Sequence, residues 1–341
     1  TVNIGIAAPV IETFNAPESG VEGGSVTFTA QATDPVNQEL TYIWNFGDGT
    51  GTQSGVDLTS VDHTFADNGS FLVQLTVVDP DELTATAADR ITITNAPPAI
   101  STFELGTFSE NTEGTVTAAA SDPAGANDPL TYTWSFGDGS PVQSGVDLTA
   151  ANHTYAQNGQ YSVTLTVTDG DGGMDSRTGN VNVADAPPSI VSLDGDTAGE
   201  EGQTLQFQVQ AVDLGGDALT YSWQVDDQPP VNTEDNPTFR ALFADDGSYS
   251  LTVTVTDEQD QSATQSVTVT ISNVAPVIQT LTGRNVGDEG QELSFFGVAT
   301  DAGGINDPLE YEWSFGDETD NIVGADRTTV DHIFADDAEF T

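Results

Sequence analysis

The sequence predicts an all-β chain built of tandem antiparallel β-sandwiches, and three observations carry that expectation. Tryptophan occurs only at Trp44, Trp134, Trp223 and Trp313, at intervals of 90, 89 and 90 residues, each time in the same neighbourhood. Short runs of apolar and polar alternation recur between Gly- and Asp-rich turns spaced about 8 to 12 residues apart, the signature of half-buried strands. Nothing reads as a long amphipathic helix. Repeats of this length carry their own core residues and behave as beads, unlike solenoid repeats that bury a face only against their neighbours.

The elements follow in order. Proline-bearing links at Ala8-Pro9, Ala96-Pro97-Pro98, Ala186-Pro187-Pro188 and Ala275-Pro276 stiffen extended connections and set the expected boundaries. Residues 1–6 read as the last strand of a preceding repeat, followed by repeats over 7–95, 96–185, 186–273 and an incomplete 274–341. A strand then alternates as Val26, Phe28, Ala30, Ala32, with relatives Leu205, Phe207, Val209, Ala211, then Leu293, Phe295, Ala299, and more weakly Val116, Ala118, Ala120. After the Tyr-x-Trp segment comes the longest alternation, Phe71, Val73, Leu75, Val77, repeated as Tyr161, Val163, Leu165, Val167 and as Tyr249, Leu251, Val253, Val255. Thr and Ser fill the intervening places, as an antiparallel sandwich with one wet face requires. Thr341 matches Leu72 and Thr1 matches Arg90, so the array reads as cut in mid-repeat. The expectation is a longer parent polypeptide, ahead of strand donation by Thr1-Val2-Asn3-Ile4 of a neighbouring copy.

Composition narrows the function. The 341 residues carry 54 Asp plus Glu against five Arg and no Lys, a net charge of −49. Such a chain repels nucleic acid and anionic membrane and attracts cations. Cysteine is absent, so neither a disulfide framework nor thiolate chemistry is available. No apolar run approaches the length of a membrane span, so no direct insertion of this segment is expected. Paired carboxylates are too common here to signal catalysis. Near-identical repetition argues against an active site, and no GxSxG, HExxH or phosphate-loop motif occurs.

One stretch makes a family resemblance specific. Tyr132-Thr-Trp134-Ser-Phe136-Gly137-Asp138-Gly139, then His153-Thr-Tyr155, then Gly159 through Asp169 resembles the PKD domain, an immunoglobulin-like sandwich, and Trp44–Gly49 with His63–Asp79 repeats it. The third repeat departs, with Gln224-Val225-Asp226-Asp227 for Ser-Phe-Gly-Asp and Ala241 in place of His. The fourth has Glu318 after Asp317. The resemblance implies tandem immunoglobulin-like sandwiches in an elongated array. It also implies a secreted or cell-surface setting, as adhesin, surface layer or stalk, or as accessory modules of a secreted hydrolase.

On such a sandwich, one end of each repeat faces the next and the other faces the preceding one, and acidic loops collect at the junctions. The first junction would offer Glu22, Asp67 and Asn95 from above, with Asp122, Asn127, Asp128, Asp169 and Asp171 from below. The second would offer Glu113, Asp185, Asp213, Asp217 and Asp257. The third would offer Glu201, Asp245, Asn273, Asp301, Asn306 and Asp307. Calcium takes six to eight oxygen ligands at about 2.3–2.6 Å, which loops from two repeats can supply. Asn95-Ala96-Pro97 also resembles the linker of cadherins, whose calcium lies between sandwich domains. Set against this, Asp and Asn favour turns for their own reasons, bonding nearby backbone amides. Asp169-Gly-Asp171-Gly-Gly lacks the terminal Glu of a calcium loop and reads as a hairpin turn. Phe-Gly-Asp-Gly reads as a turn device, and His63, His153 and His332 as framework residues without clustered zinc partners. Asn68-Gly-Ser70 and Asn152-His-Thr154 fit the glycosylation acceptor pattern.

The expected protein is therefore a non-catalytic extracellular structural or adhesive array, rigidified by calcium and suited to a saline setting. It would form a surface fibre, stalk, adhesin or surface layer, with other copies of the chain, other surface proteins or polysaccharide as partners. The rival is a set of accessory modules of a secreted hydrolase that bind polysaccharide or protein substrate. A receptor ectodomain is the third reading.

Overall fold

A computed structural model describes residues 6–341; Thr1-Val2-Asn3-Ile4, expected to form a final strand, lie outside the described residues. The chain forms two compact units that part between Ala184 and Asp185, each holding two repeats. Among the described residues the one helical element is a 3-10 turn at Gly125–Asn127.

The first repeat shows the plan. Its strands are β1 (Val10–Asn15), β2 (Ser19–Val21), β3 (Ser25–Thr33), β4 (Thr41–Asn45), β5 (Thr52–Val56), β6 (Ser60–Thr64), β7 (Gly69–Val78) and β8 (Thr84–Thr94). They make a three-stranded sheet, β1-β3-β6, facing a five-stranded sheet, β2-β8-β7-β4-β5. All pairs are antiparallel except β2 with β8. Alternation in β3 and β7 delivers Phe28, Ala30, Val73, Leu75 and Val77 to one core, around a fully buried Trp44. The indole N–H donates to the carbonyl of Leu58 at 3.0 Å, and the Tyr42 hydroxyl accepts from the Ala32 amide at 3.0 Å. Both polar tips of large core rings are thus satisfied, which avoids the penalty for a buried orphan of about 1–3 kcal/mol.

The second repeat repeats this arrangement, with Trp134 bonded to Leu148 and Tyr132 to Ala120. It differs in one length. Val26 pairs with His63 and Gly114 with His153, so these strands lie 88 residues apart whereas the tryptophans lie 90 apart. The loop between Asp122 and Leu130 is two residues longer than that between Asp34 and Leu40, and it holds the 3-10 turn.

In the second unit, the third repeat keeps the three- and five-stranded sheets. The fourth has a three-stranded sheet of Val277–Gly283, Glu292–Thr300 and Thr329–Ile333, and a two-stranded one of Glu310–Trp313 with Ile322–Ala325. Trp44, Trp134 and Trp223 are fully buried. Trp313, at the equivalent place in the fourth repeat, is only half-buried, because no strand corresponding to β7 or β8 covers it among the described residues. Thr341 meets Gly316 as Leu72 meets Gly47, in keeping with the alignment of Thr341 to Leu72.

Candidate functional site: acidic junctions

The Phe-Gly-Asp segments resolve into framework. His63 stacks on Phe46 with centroids 3.8 Å apart, meets Phe65 edge-on and lies 2.6 Å from the Asp48 carboxylate. His153 with Asp138 and His332 with Asp317 repeat the pairing at 2.8 and 2.7 Å. Gly47 adopts a φ of 76° and packs against the backbone of Leu72, where a Cβ would lie 2.6 Å from the carbonyl oxygen. Only glycine allows both.

The loops at the ends of the repeats follow a different logic. Asp34, Asp122, Asp213 and Asp301 each use Oδ1 to accept a backbone amide two residues on, and Asp79, Asp169 and Asp257 do the same across the β7–β8 hairpin and its relatives. One carboxylate oxygen therefore holds the turn. The second, Oδ2, is buried without a hydrogen-bond partner in Asp34, Asp79, Asp122, Asp213 and Asp257. The Asx-turn role and an open ligand atom coexist on one side chain.

At the junction within the first unit these atoms converge. Glu22, 2% exposed, accepts the linker amide of Ala96 on Oε1 at 2.9 Å and leaves Oε2 buried and unpartnered. One ligand atom each of Glu22, Asp67 and Asp128 lies within 4.8 Å of the others. Asn95 donates Nδ2 to Asp169 at 2.9 Å while its Oδ1, with Asp122 Oδ2 and Asp128 Oδ2, has no donor. Burial and then the neighbouring Asp171, Glu22 and Asp67 push the Asp128 carboxyl up to about 6. Burial also opposes ionisation of Asp169, yet the Asn95 amide and the hairpin amides outweigh it and hold that carboxyl low. Asn127 takes another role, donating to the carbonyl of Ala66 at 3.3 Å.

The junction within the second unit is built alike. Glu201, 2% exposed, accepts the Val274 amide at 2.7 Å and leaves Oε2 unpartnered, as is Asp307 Oδ2. Glu201, Asp245, Asp246 and Asp307 each offer an atom within 4.8 Å of the rest. Val274 pulls the Glu201 carboxyl down, but desolvation and Asp307 leave it raised. A Cβ on Gly303 would lie 2.6 Å from Asp307 Oδ2 and 2.8 Å from Glu201 Oε2, so the loop closes tightly over these oxygens. Asp301 sits in the same loop; Asn273 and Asn306 are exposed, and Asn273 directly precedes Val274, whose amide bonds Glu201.

At its leading end the second unit also holds Asp213, Asp217 and Asp257, each with a buried unpartnered Oδ2, and Asp185, which accepts from Gln261. Burial, then Asp213 and Asp185, raise the Asp217 carboxyl. In the first unit the structure moves one expected ligand. Glu113 lies exposed in strand Glu113–Ser121 and bonds Asn152, away from the end of the repeat. The counterpart of Glu22 is Glu110, 1% exposed, whose amide bonds Ala184 as that of Glu22 bonds Thr94. Adding the tryptophan interval of 90 to Glu22 gives Thr112, two residues past Glu110, because of the longer loop after Asp122. Counting by buried strand positions would have found Glu110.

Four consecutive segments, residues 6–93, 95–184, 185–271 and 273–341, match the family described as PKD domain. A microbial collagenase of Vibrio alginolyticus is 37% identical over 82 residues, covering 24% of this chain and 10% of that protein. Chitinase A of Pseudoalteromonas piscicida is 29% identical over 220 residues, covering 61% of this chain and 26% of that protein. This chain thus spans about a quarter or less of the length of these relatives. Among solved structures, Sidekick-1 immunoglobulin domains 1-5 align at 14% identity and a TM-score of 0.34, over 79% of this chain and 60% of that one. A protocadherin gammaB7 EC3-6 structure aligns at 19% identity and a TM-score of 0.29, over 92% and 88%. With the family matched across nearly every residue and the sandwich plan shared by the first three segments and partly present in the fourth, the chain belongs to the PKD domain family.

Proposed function

We propose that this chain is a non-catalytic, extracellular structural array whose PKD repeats are locked to one another by calcium at their acidic junctions. One observation carries the reading. At the first junction, oxygens of Glu22, Asn95, Asp122 and Asp128 are buried without a donor, and they come from both repeats and the linker. Leaving a buried carboxylate oxygen without a partner is costly, and a hard divalent cation that accepts six to eight oxygens removes the cost at all of them together. The clusters are anionic and all-oxygen, the donor set that suits calcium or magnesium over zinc or copper. Glu22, Asn95, Asp122 and Asp128, with Asp67 and Asp169, would hold the ion in the first unit. Glu201, Asp301 and Asp307, with Asp245 and Asp246, would do so in the second. When bound, the ion supplies charge neutralisation and a rigid bridge; catalysis is not part of the proposal. Scattering with millimolar calcium and with excess chelator tests it, alongside calorimetry. The proposal expects calcium binding and a longer maximum dimension with the ion. An unchanged dimension together with no heat of binding overturns it.

A second reading has support of its own, since sequence likeness reaches a collagenase and chitinase A. In that reading the repeats are accessory modules of a secreted hydrolase and hold it against its substrate. Mass and sequence of the native polypeptide separate the two.

A further inference from the structure

In a chain of net charge −49, one large face carries no charge. It is the outward face of the second repeat's five-stranded sheet, formed by Thr131–Ser135, Gln143–Val146, Gly159–Thr168 and Met174–Ala184. Register fixes what it displays: Thr131 lies opposite Thr168, Thr133 opposite Thr166 and Ser144, and Thr164 opposite Thr178. The carboxylate of Asp175 and the guanidinium of Arg177 on the last strand fall on the other register, opposite Val167 and Leu165. Cross-strand hydroxyl pairs tie the lattice together, Thr133 to Ser144 at 2.8 Å and Thr164 to Thr178 at 2.9 Å. The opposite sheet of the same repeat is charged, with Glu104 and Glu113 flanking Thr117 and Thr115. The equivalent face of the third repeat pairs Thr252 with Ser266 and carries no charge on its three long strands, with Glu200 on a short edge strand. The fourth repeat breaks the pattern with Glu310 and Glu312.

We propose that this hydroxyl face is where a second copy of the chain docks, face against face about a two-fold axis. Threonine and serine hydroxyls both donate and accept, so the surface is complementary to itself, as an isologous contact requires. Two copies of so acidic a chain repel wherever carboxylates meet, and salt screens charge only beyond about 10 Å. Sheets packed at about 10 Å can close only where neither carries acid. Strands of five, four, ten and eleven residues, at about 4.8 Å spacing and about 3.4 Å per residue, give about 490 Å² per copy. The pair then buries about 1,000 Å², the size of a weak, transient contact. This face presents no aromatic ring as a stacking platform for sugars, which sets a second copy ahead of a polysaccharide as the occupant. The inference names a partner for the structural array and needs no junctional cation.

Sedimentation velocity of the full chain, across concentration in about 0.5 M salt, tests it. A dimer should form in wild type, weakly, with a dissociation constant on the order of 10–100 µM given how little apolar area such a face buries. Thr166→Glu should weaken it at least about tenfold, and Ser176→Glu provides the same test at a more exposed position. Thr117→Glu, on the opposite sheet, should leave it unchanged. Emission of the buried Trp134 verifies folding of each variant. Repeating the series with chelator separates this proposal from the calcium reading, because the dimer should persist. Monomers at all concentrations overturn the proposal, as does equal weakening by Thr117→Glu and Thr166→Glu. Retention of a monomeric wild type on an insoluble neutral polysaccharide, lost in Thr166→Glu, also overturns it and assigns the face to a glycan.

Discussion

The second and third repeats share a sandwich but secure it differently. In the second, Trp134 donates to Leu148, His153 is clamped between Phe136 and Tyr155 and bonded to Asp138, and Gly137 lets the backbone of Ser162 approach. In the third, Val225, Asp226 and Ala241 replace the phenylalanine, glycine and histidine, and the buried indole N–H of Trp223 has no acceptor. Asp226 instead takes a φ of 46° and bonds the backbone of Ser250 through both its amide and its carboxylate. Yet Trp223 is as buried as Trp134, and strand pairing is equivalent. Strand register places the tryptophan, and the Phe-Gly-Asp and histidine device adds local rigidity to a fold that already exists.

The largest expected effect concerns the ends of the repeats, which the two share. Calcium at about a hundred times its dissociation constant should stabilise each closed junction by about 2.7 kcal/mol. Glu22→Gln should abolish that gain at the first junction and leave the third intact. Hydrogen-exchange mass spectrometry with and without calcium, read junction by junction, checks this.

A change of tryptophan to phenylalanine should then split the repeats. Trp134→Phe loses a satisfied bond and strands the Leu148 carbonyl, whereas Trp223→Phe removes an N–H that has no partner. Both lose similar volume, so the second repeat should be weakened by about 1–3 kcal/mol more than the third. Opening free energies from exchange of β-strand amides measure the difference.

Acid should split them more gently. Burial disfavours ionised Asp138, but Ser140 and then His153 outweigh it and hold the carboxyl below its ordinary 3.8, as Thr50 and His63 do for Asp48. A depressed folded value stabilises above the unfolded value, and this is lost as pH falls through the folded one. As pH falls from about 5 through 3.8 and on through the lower folded value, the first two repeats should lose this contribution, while the third, with no such pair, should not. Per-repeat exchange across that window reads it.

The fold was legible because its signals are local and redundant: tryptophan spacing, period-two alternation and proline links all point to sandwiches. The site was legible only in kind. Asp122, Asp128, Asp169 and Glu201 stand in loops whose ends the sandwich fixes, so the sequence shows which loop carries each. Glu110 was hidden by a two-residue insertion that shifts one half of a repeat against the other. Asn273 and Asn306 fit by composition and are exposed, and a loop's sequence does not reveal how deeply each side chain is buried. Trp313 shows that burial depends on strands far along the chain.

The doubled use of each loop aspartate has a consequence for affinity. A flexible acidic loop must lose conformational freedom when it grips an ion, and that loss weakens binding. Here Oδ1 has already frozen the loop around its own amides, so Oδ2 arrives preorganised. In the proposed calcium reading, the mutual repulsion of the clustered carboxylates adds to this preorganisation, because a cation relieves it. Such a site should fill quickly and without refolding. Replacing its aspartates by asparagine should leave the loops standing while removing the charge that attracts the ion.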